Sequence, residues 1–587
     1  MSDFTWKVGG AQGEGIESTG TIFGLTLHRI GYYVYQYRHF MSLIKGGHTN
    51  FKIRASAEQR RHRGDTLDML VAFDQRTIDE NLYELRDGGI IIYDSAFTAE
   101  LKEARNVHLL GVPLTEIAKQ NGNAQMKNMV SIGASAAVCG LPEDAFDDFI
   151  EERWGKRGEK VTGPNKKSVR DGYAYALANS EVRFSMPKVP ADAKQQKRVF
   201  MHGNDALALG AIVAGCRIVA AYPITPATEI LYSVLKLLPK YGGVVLQAED
   251  EMAACQMAVG ANYTGVRAMT STSGPGLSLM TETLGLSGVS ETPVVIVDVQ
   301  RAGPSTGMPT KTEQGDAFTA IYSAHGEIPR IVLAPATVED CFYDTQRAFN
   351  LADQYQCPVI ILTDLVLGLT KMSIDEADID FERVKIDRGA IATPEQLAKA
   401  ADNGGYKRYE LTESGISPRA LPGVENGVHI ALSYEHDEYS LEMDEPEMRV
   451  QQVNKRARKM STFNPNEWGA HYYGAANPDV LFIGWGATIG PIHESLEQLE
   501  LDGIKAANLQ LTVLEPFPTE AVAKAIGQAK RVVVVDNNSF GQLAELIKRH
   551  VGCHDRLHSC LKYNGDPFRV SEILEQTRAV LRVKEAV

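Results

Sequence analysis

Hydrophobic residues in this chain fall mostly into short unbroken runs, and the runs come in sets. In the middle of the chain, residues 217–222, 243–247, 267–271, 293–298 and 358–363 are rich in Val, Ile and Ala, and segments of helical spacing separate them. Continuous apolar runs alternating with helices predict a parallel sheet covered on both faces. A similar but shorter alternation precedes them, with runs at 32–35, 66–73 and 89–94, and another follows, with runs at 479–484 and 531–536. The pattern predicts an α/β protein of three domains: residues 1–190, 200–370 and 478–587. Residues 371–477 break it, being acidic, polar and punctuated by Gly and Pro; they read as a linker, an insertion or a subunit-contact segment.

The first domain opens with a strand, then Gly9-Gly10-Ala11-Gln12-Gly13-Glu14-Gly15, then a helix carrying Ile16, Phe23, Leu27 and Ile30 near one face. Gly10, Gly13 and Gly15 form a loop whose backbone N–H groups can approach a phosphate at a helix N-terminus. The strict G-x-G-x-x-G spacing fails, because Ser18 stands in the third glycine position counting from Gly13, so a tight structural turn fits equally well. Further on, Lys45 precedes Gly46-Gly47-His48, a loop cation that could meet an anionic ligand.

Composition narrows the function classes. With 587 residues, 44% hydrophobic and 23% charged, the chain is an ordinary soluble multidomain type. A net charge of −14 argues against binding nucleic acid, which needs clustered Lys and Arg. No run is long and apolar enough for a membrane, and Met1-Ser2-Asp3-Phe4-Thr5-Trp6-Lys7 lacks the features of a signal peptide, so a cytoplasmic location is expected. The seven cysteines are scattered with no C-x-x-C pair, which predicts buried reduced thiols and no metal site.

The chemistry concentrates between Tyr222 and Asp316. In an open parallel sheet ligands gather beyond the carboxyl ends of the strands, and there the sequence places Thr225, the turn Ser273-Gly274-Pro275-Gly276, and Arg301. Pro223 and Pro226 stiffen the Thr225 loop. Glu249, Asp250 and Glu251 start a helix, where capping accounts for two of the three; Glu251 continues into small apolar residues, surroundings that favour a proton-holding carboxyl.

Tyr222-Pro223-Ile224-Thr225-Pro226, Glu249-Asp250-Glu251, Thr272-Ser273-Gly274-Pro275-Gly276 and the run from Arg301 to Asp316 resemble, in this order, the α subunit of 2-oxoacid:ferredoxin oxidoreductases. The first domain, with its glycine loop and Ile44-Lys45-Gly46-Gly47-His48, resembles that family's γ component fused ahead of α. The resemblance implies that residues 200–370 bind the pyrimidine half of thiamine diphosphate, through Tyr222, Pro223, Ile224, Ser273, Gly274 and Pro275. It implies a transketolase-C-like domain at the C-terminus. It gives Glu251 the catalytic contact with the aminopyrimidine ring, with Glu249 in reserve. Thr225 and Arg301 would bind the 2-oxo carboxylate, and Thr310 and Lys45 would close over the substrate. His48 and Arg54 are candidates to meet a second carboxylate.

The resemblance also implies what lies on another chain. No G-D-G loop with a following Asn for Mg2+ and the diphosphate is present, nor any cysteine motif for a [4Fe-4S] cluster. The family carries both on a β subunit, so a heterotetramer of two α and two β chains is expected, with coenzyme A as cosubstrate and ferredoxin as electron acceptor. The Arg301–Asp316 version of the motif and the fusion lean toward 2-oxoglutarate, with branched-chain 2-oxoacids and pyruvate behind. A thiamine-dependent component not coupled to ferredoxin is the other enzyme reading, and a nucleotide or coenzyme A carrier, with the glycine-rich first unit as its binding module, the non-catalytic one.

Overall fold

A computed structural model describes residues 3–42 and 47–582. These residues form three sheets, and the chain is α/β throughout, as the alternation of runs predicts. Two compact units contain them: residues 1–201 with 370–378, and residues 202–369 with 379–587.

In the first unit β1 (Phe4–Ala11), β2 (Tyr33–His39), β3 (His48–Ser56), β4 (Leu67–Ala72), β5 (Leu85–Asp94), β6 (His108–Val112) and β7 (Arg198–Met201) join β14 (Lys371–Asp375) in an eight-stranded mixed sheet. Its order is β6-β5-β4-β1-β3-β2-β14-β7. Trp6, Phe23, Ile53 and Met69 lie in its core, with Ile16 and Leu27 of the first helix, so the helical spacing read from the sequence is the face that packs. The chain returns to this unit at residues 370–378, the start of the segment expected to be a linker, an insertion or a subunit contact. Lys371–Asp375 pairs with β2 and β7, because its backbone completes an edge that β7 shares.

The second unit holds two sheets. Strands β8 (Ile218–Ala221), β9 (Val244–Gln247), β10 (Ala268–Thr272), β11 (Val294–Gln300), β12 (Ile331–Leu333) and β13 (Pro358–Asp364) are mutually parallel, and β18 (Val513–Glu515) adds an antiparallel edge, in the order β18-β12-β13-β11-β10-β8-β9. Strands β11 and β13 are buried along their whole length. The other edge departs from the expectation of a sheet covered on both faces. In β9, Val244 and Leu246 remain 51% and 40% exposed, since no element among the described residues covers them. The last sheet, β15 (Ala470–Gly474), β17 (Ala506–Leu511), β16 (Val480–Trp485), β19 (Arg531–Asp536) and β20 (Leu557–Leu561), packs its apolar side chains into one cluster with those of the parallel sheet.

Residues 379–469 contain two longer helices, Pro394–Asp402 and Pro446–Arg458, joined by irregular chain. What fixes this segment is charge. Lys455 and Lys459 reach the fully buried Glu291 at 2.6 and 2.5 Å, and Arg408 donates to the Glu291 carbonyl at 2.8 Å. Arg388 and Arg419 join Arg267 around the buried Asp353 at 2.8 to 3.0 Å. A buried charge is tolerated only when paired in this way.

The cysteines are unpaired and all but Cys553 are buried, as their apolar neighbours predict. Among the described residues no helix is long and apolar enough to cross a membrane.

Candidate active site

The strand order brings the predicted chemistry to one edge. Strands β11, β10, β8 and β9 are consecutive neighbours, and the loops leaving their carboxyl ends carry Arg301, Ser273, Thr225 and Glu251 respectively.

The three consecutive carboxylates at residues 249–251 separate cleanly. Asp250 is the N-cap of the helix Glu251–Tyr263, its side chain accepting from the Ala253 N–H at 2.7 Å. Glu249 is exposed, whereas Glu251 is only 7% exposed. Glu251 lies directly across Gly276. A Cβ added there would sit 2.6 Å from Glu251 Cγ and 2.0 Å from Thr272 Oγ1, so nothing larger than glycine fits beneath this carboxylate.

Arg301 follows the last residue of β11 and is 8% exposed. Its Nη1 donates to the Thr225 carbonyl at 2.8 Å and its Nη2 to the Thr306 carbonyl at 3.2 Å, while its buried Nε has no partner. Each terminal nitrogen keeps a second N–H, so a fork for a carboxylate remains available. Burial lowers the proton affinity of Arg301, and Asp316, Asp298 and Glu251 counter it.

The loop after Arg301 is closed on itself: Met308 N–H bonds the Ala302 carbonyl at 2.8 Å, and Ala302 N–H bonds the Lys311 carbonyl at 2.9 Å. Thr310 is buried within it. Lys311 pairs with Asp566 at 3.0 Å, which anchors the loop to the C-terminal segment.

Tyr222 is 40% exposed at the end of β8, and Pro223, Ile224 and Thr225 are half-buried behind it. Ser273 is fully buried at the start of the short helix Gly274–Leu279, with no hydrogen-bond partner for its Oγ. Gly274 lies against Asp316, whose carboxylate oxygens would be 2.7 and 2.8 Å from any Cβ there. An unsatisfied buried hydroxyl and a carboxylate laid over a glycine suit a polar heteroaromatic ring such as the pyrimidine of thiamine diphosphate.

Two residues at this edge carry chemistry that the motif reading passed over. Asp298 interrupts the apolar strand Val294–Gln300 and is completely buried, and Asp316 closes the loop that Arg301 opens. A carboxylate inside an otherwise apolar buried strand is a signal readable from sequence.

The first unit holds the remaining predicted residues. Gly13 and Gly15 take the left-handed conformation, and a Cβ at Gly15 would strike Asn128. The Ala11 N–H bonds the Glu14 carboxylate at 2.9 Å, Gln12 N–H bonds the Gly47 carbonyl, and Glu14 pairs with Lys127 at 2.7 Å. The loop thus already holds a carboxylate of its own, and Gly10 packs against it. His48 and Arg54, candidates for a second substrate carboxylate, are both buried in β3. His48 contacts Thr77 and Glu80, and Arg54 bonds Asp3 and the His62 carbonyl. They are structural groups of the first sheet, because strand pairing turns both inward. Lys45 lies outside the described residues.

Comparison with known proteins assigns each segment. The thiamine diphosphate-binding model of pyruvate flavodoxin/ferredoxin oxidoreductase matches residues 209–455. The pyruvate ferredoxin/flavodoxin oxidoreductase model matches residues 5–175, and pyruvate:ferredoxin oxidoreductase core domain II matches residues 478–573. A 2-oxoacid:ferredoxin oxidoreductase subunit alpha of Saccharolobus solfataricus is 33% identical over 99% of this chain and 98% of its own length. The 2-oxoglutarate synthase subunit KorA of Archaeoglobus fulgidus is 37% identical over 64% of this chain and 98% of its own. Among solved structures, the 2-oxoglutarate:ferredoxin oxidoreductase of Magnetococcus marinus with 2-oxoglutarate, coenzyme A and succinyl-CoA bound is 35% identical, with a TM-score of 0.92 over 99% of this chain and 100% of that one.

With a thiamine diphosphate-binding domain at its centre, the molecule is a thiamine-dependent oxidoreductase. Its likeness to one group extends from end to end. The chain belongs to the 2-oxoacid:ferredoxin oxidoreductase family and corresponds to the alpha subunit.

Proposed function

We propose that this chain is the α subunit of a 2-oxoglutarate:ferredoxin oxidoreductase, which converts 2-oxoglutarate and coenzyme A to succinyl-CoA and CO2 and passes the electrons to ferredoxin. The observation that carries the substrate is the full-length likeness to the Magnetococcus marinus enzyme, whose structure holds 2-oxoglutarate. The Archaeoglobus fulgidus relative, a 2-oxoglutarate synthase subunit, supports it. A broader reading, in which branched-chain 2-oxoacids and pyruvate are also used, is favoured by the name of the Saccharolobus solfataricus relative, which specifies only a 2-oxoacid.

Thiamine diphosphate, when bound, supplies the carbon nucleophile for the 2-oxo group and takes up the electron pair that departing CO2 leaves. The chain's residues do the rest by position. Glu251, buried and pressed on Gly276, would hydrogen-bond the pyrimidine ring and hold a proton at the ring nitrogen. Ser273 Oγ, buried without a partner, is free to bond the same ring. Arg301 and Thr225 hold the substrate carboxylate, with Arg301 fixed by the carbonyls of Thr225 and Thr306. Thr310, buried in the loop after Arg301, completes the substrate-binding set of this unit.

A second chain, the β subunit, supplies the Mg2+ and diphosphate site and the [4Fe-4S] cluster. The unpartnered edge around β9 suits it: Tyr232, Leu235, Val244, Leu246, Met252 and Met257 are 40 to 64% exposed there. The test is to purify the chain with and without a co-expressed β subunit. Alone it is expected to be colourless and inactive; turnover or an iron-sulfur spectrum from the chain alone overturns the reading.

A further inference from the structure

Asp298 and Asp316 face each other beside Arg301 with too few hydrogen-bond donors for two carboxylates. No N–H or O–H of the described residues reaches either oxygen of Asp298 or Oδ2 of Asp316, and all three atoms are buried. Asp298 sits in β11 in register with Thr272 of β10 and Leu362 of β13, deep in the sheet. Asp316 is held in place from behind, its N–H bonded to Gln300 Oε1 at 3.0 Å, while Gln300 Nε2 bonds the Thr363 carbonyl at 3.0 Å. Gly274 leaves room for its carboxylate. Each carboxyl group acts on the proton affinity of the other, so the two lie within interaction range.

Two neighbouring buried anions with no donor to three of their four oxygens are not stable; a proton between them removes one charge and makes the missing hydrogen bond. The charged groups facing the pair are Arg301, which follows β11, and Glu313, three residues before Asp316; Glu251 faces Arg301 from its own helix. If both aspartates were ionised, Arg301 would stand among three carboxylates and attract a fourth only weakly. With one proton shared, a full charge is removed from that balance.

We propose that Asp298 and Asp316 hold one proton between them at neutral pH and thereby keep the Arg301 guanidinium electrostatically available to the carboxylate of the 2-oxoacid. They are positioning residues: they act on substrate through Arg301. The inference rests on the assignment of Arg301 to the substrate. Burial and Asp316 push the Asp298 carboxyl well above the usual range, and burial and Glu313 push that of Asp316 up to about 6, which agrees with a pair that loses its first proton near pH 6 and keeps the second well above it. As pH rises through that second ionisation, a new negative charge forms beside Arg301 and substrate binding weakens.

The test uses the α–β complex and the isosteric variants Asp316→Asn and Asp298→Asn. In the wild type, KM for 2-oxoglutarate is expected to rise about tenfold or more on the alkaline side, the size set by one charge a few ångströms from the guanidinium. In either variant that alkaline rise is expected to vanish while kcat at pH 7 changes less. A variant KM profile that keeps the wild-type alkaline rise overturns the role. The proton itself is read without substrate, by infrared difference between wild type and the Asp298→Asn/Asp316→Asn double variant at pH 7. A protonated-carboxyl band present only in the wild type is expected; its absence there overturns the shared proton. An Arg301→Lys variant with unchanged KM, alongside an intact infrared band, would instead remove the assignment of Arg301 and leave the shared proton standing.

Discussion

The Arg301 guanidinium donates to the main-chain carbonyl of Thr225 across 2.8 Å, so one side chain ties the loop after β11 to the loop after β8. The same bond fixes the direction in which the remaining guanidinium N–H groups point. Replacing Arg301 with Lys retains charge but loses both the tie and the fork. A loss of about 10- to 100-fold in kcat/KM for the 2-oxoacid is expected, carried mainly by KM, as befits a hydrogen bond to a charged group worth about 1.5–3 kcal/mol. Steady-state kinetics of the reconstituted complex measure it; a change confined to kcat would count against carboxylate binding.

Glu251 and Glu249 offer a paired experiment two residues apart. Glu251→Gln should lower turnover by about 10²- to 10⁴-fold, the usual span of a positioned acid or base. Glu249, being exposed, should tolerate the same change with little effect on rate. Rates for both variants, with thiamine diphosphate affinity by calorimetry, decide between them; the reverse ranking would transfer the role to Glu249.

Gly276 tests the support of Glu251 without touching it. Gly276→Ala places a methyl group where Thr272 Oγ1 and Glu251 Cγ now lie, at 2.0 and 2.6 Å. Overpacking of this kind costs roughly 1–3 kcal/mol and moves the neighbour. Gly285, whose Cβ would meet nothing, is the control. Activity should fall well below that of Gly285→Ala at equal folded yield, and equal activities would contradict the packing account.

The buried charge cluster predicts how acid affects stability. Burial pushes the Glu291 carboxyl up, but Lys459, Lys455 and Arg408 outweigh it and hold it well below the usual range. A carboxyl whose proton affinity falls on folding adds stability above its ordinary value of 4.5, and that stability is lost as pH drops below it. Glu291→Leu, which strands two buried ammonium groups, is expected to cost about 3–5 kcal/mol, and Lys455→Met less, because Lys459 still pairs Glu291. Denaturant melts at neutral pH give the ranking, and a Lys455→Met variant less stable than Glu291→Leu would refute it.

The sheet was legible because its strands are unbroken Val and Ile runs, of which Val294–Gln300 is the plainest. The site was legible where proline, glycine and charge interrupt such runs, and the loops of Thr225, Ser273 and Arg301 do lie together. Strand order was not legible, since nothing in a strand's own sequence names its neighbours; β18 and β14 join sheets far from their chain positions. The stretch between β14 and β15 hid its fold because Glu291 and Asp353 hold it by ion pairs, which leave no apolar period to read. His48 and Arg54 looked like surface groups one at a time, and only pairing in β3 turns them inward.

The central claim meets its most direct test in a substrate comparison on the purified α–β complex. With coenzyme A and ferredoxin in excess, initial rates of ferredoxin reduction are measured on 2-oxoglutarate, pyruvate and 2-oxoisovalerate. A kcat/KM for 2-oxoglutarate well above the other two is the predicted result; comparable values for all three, or a preference for pyruvate, would contradict it.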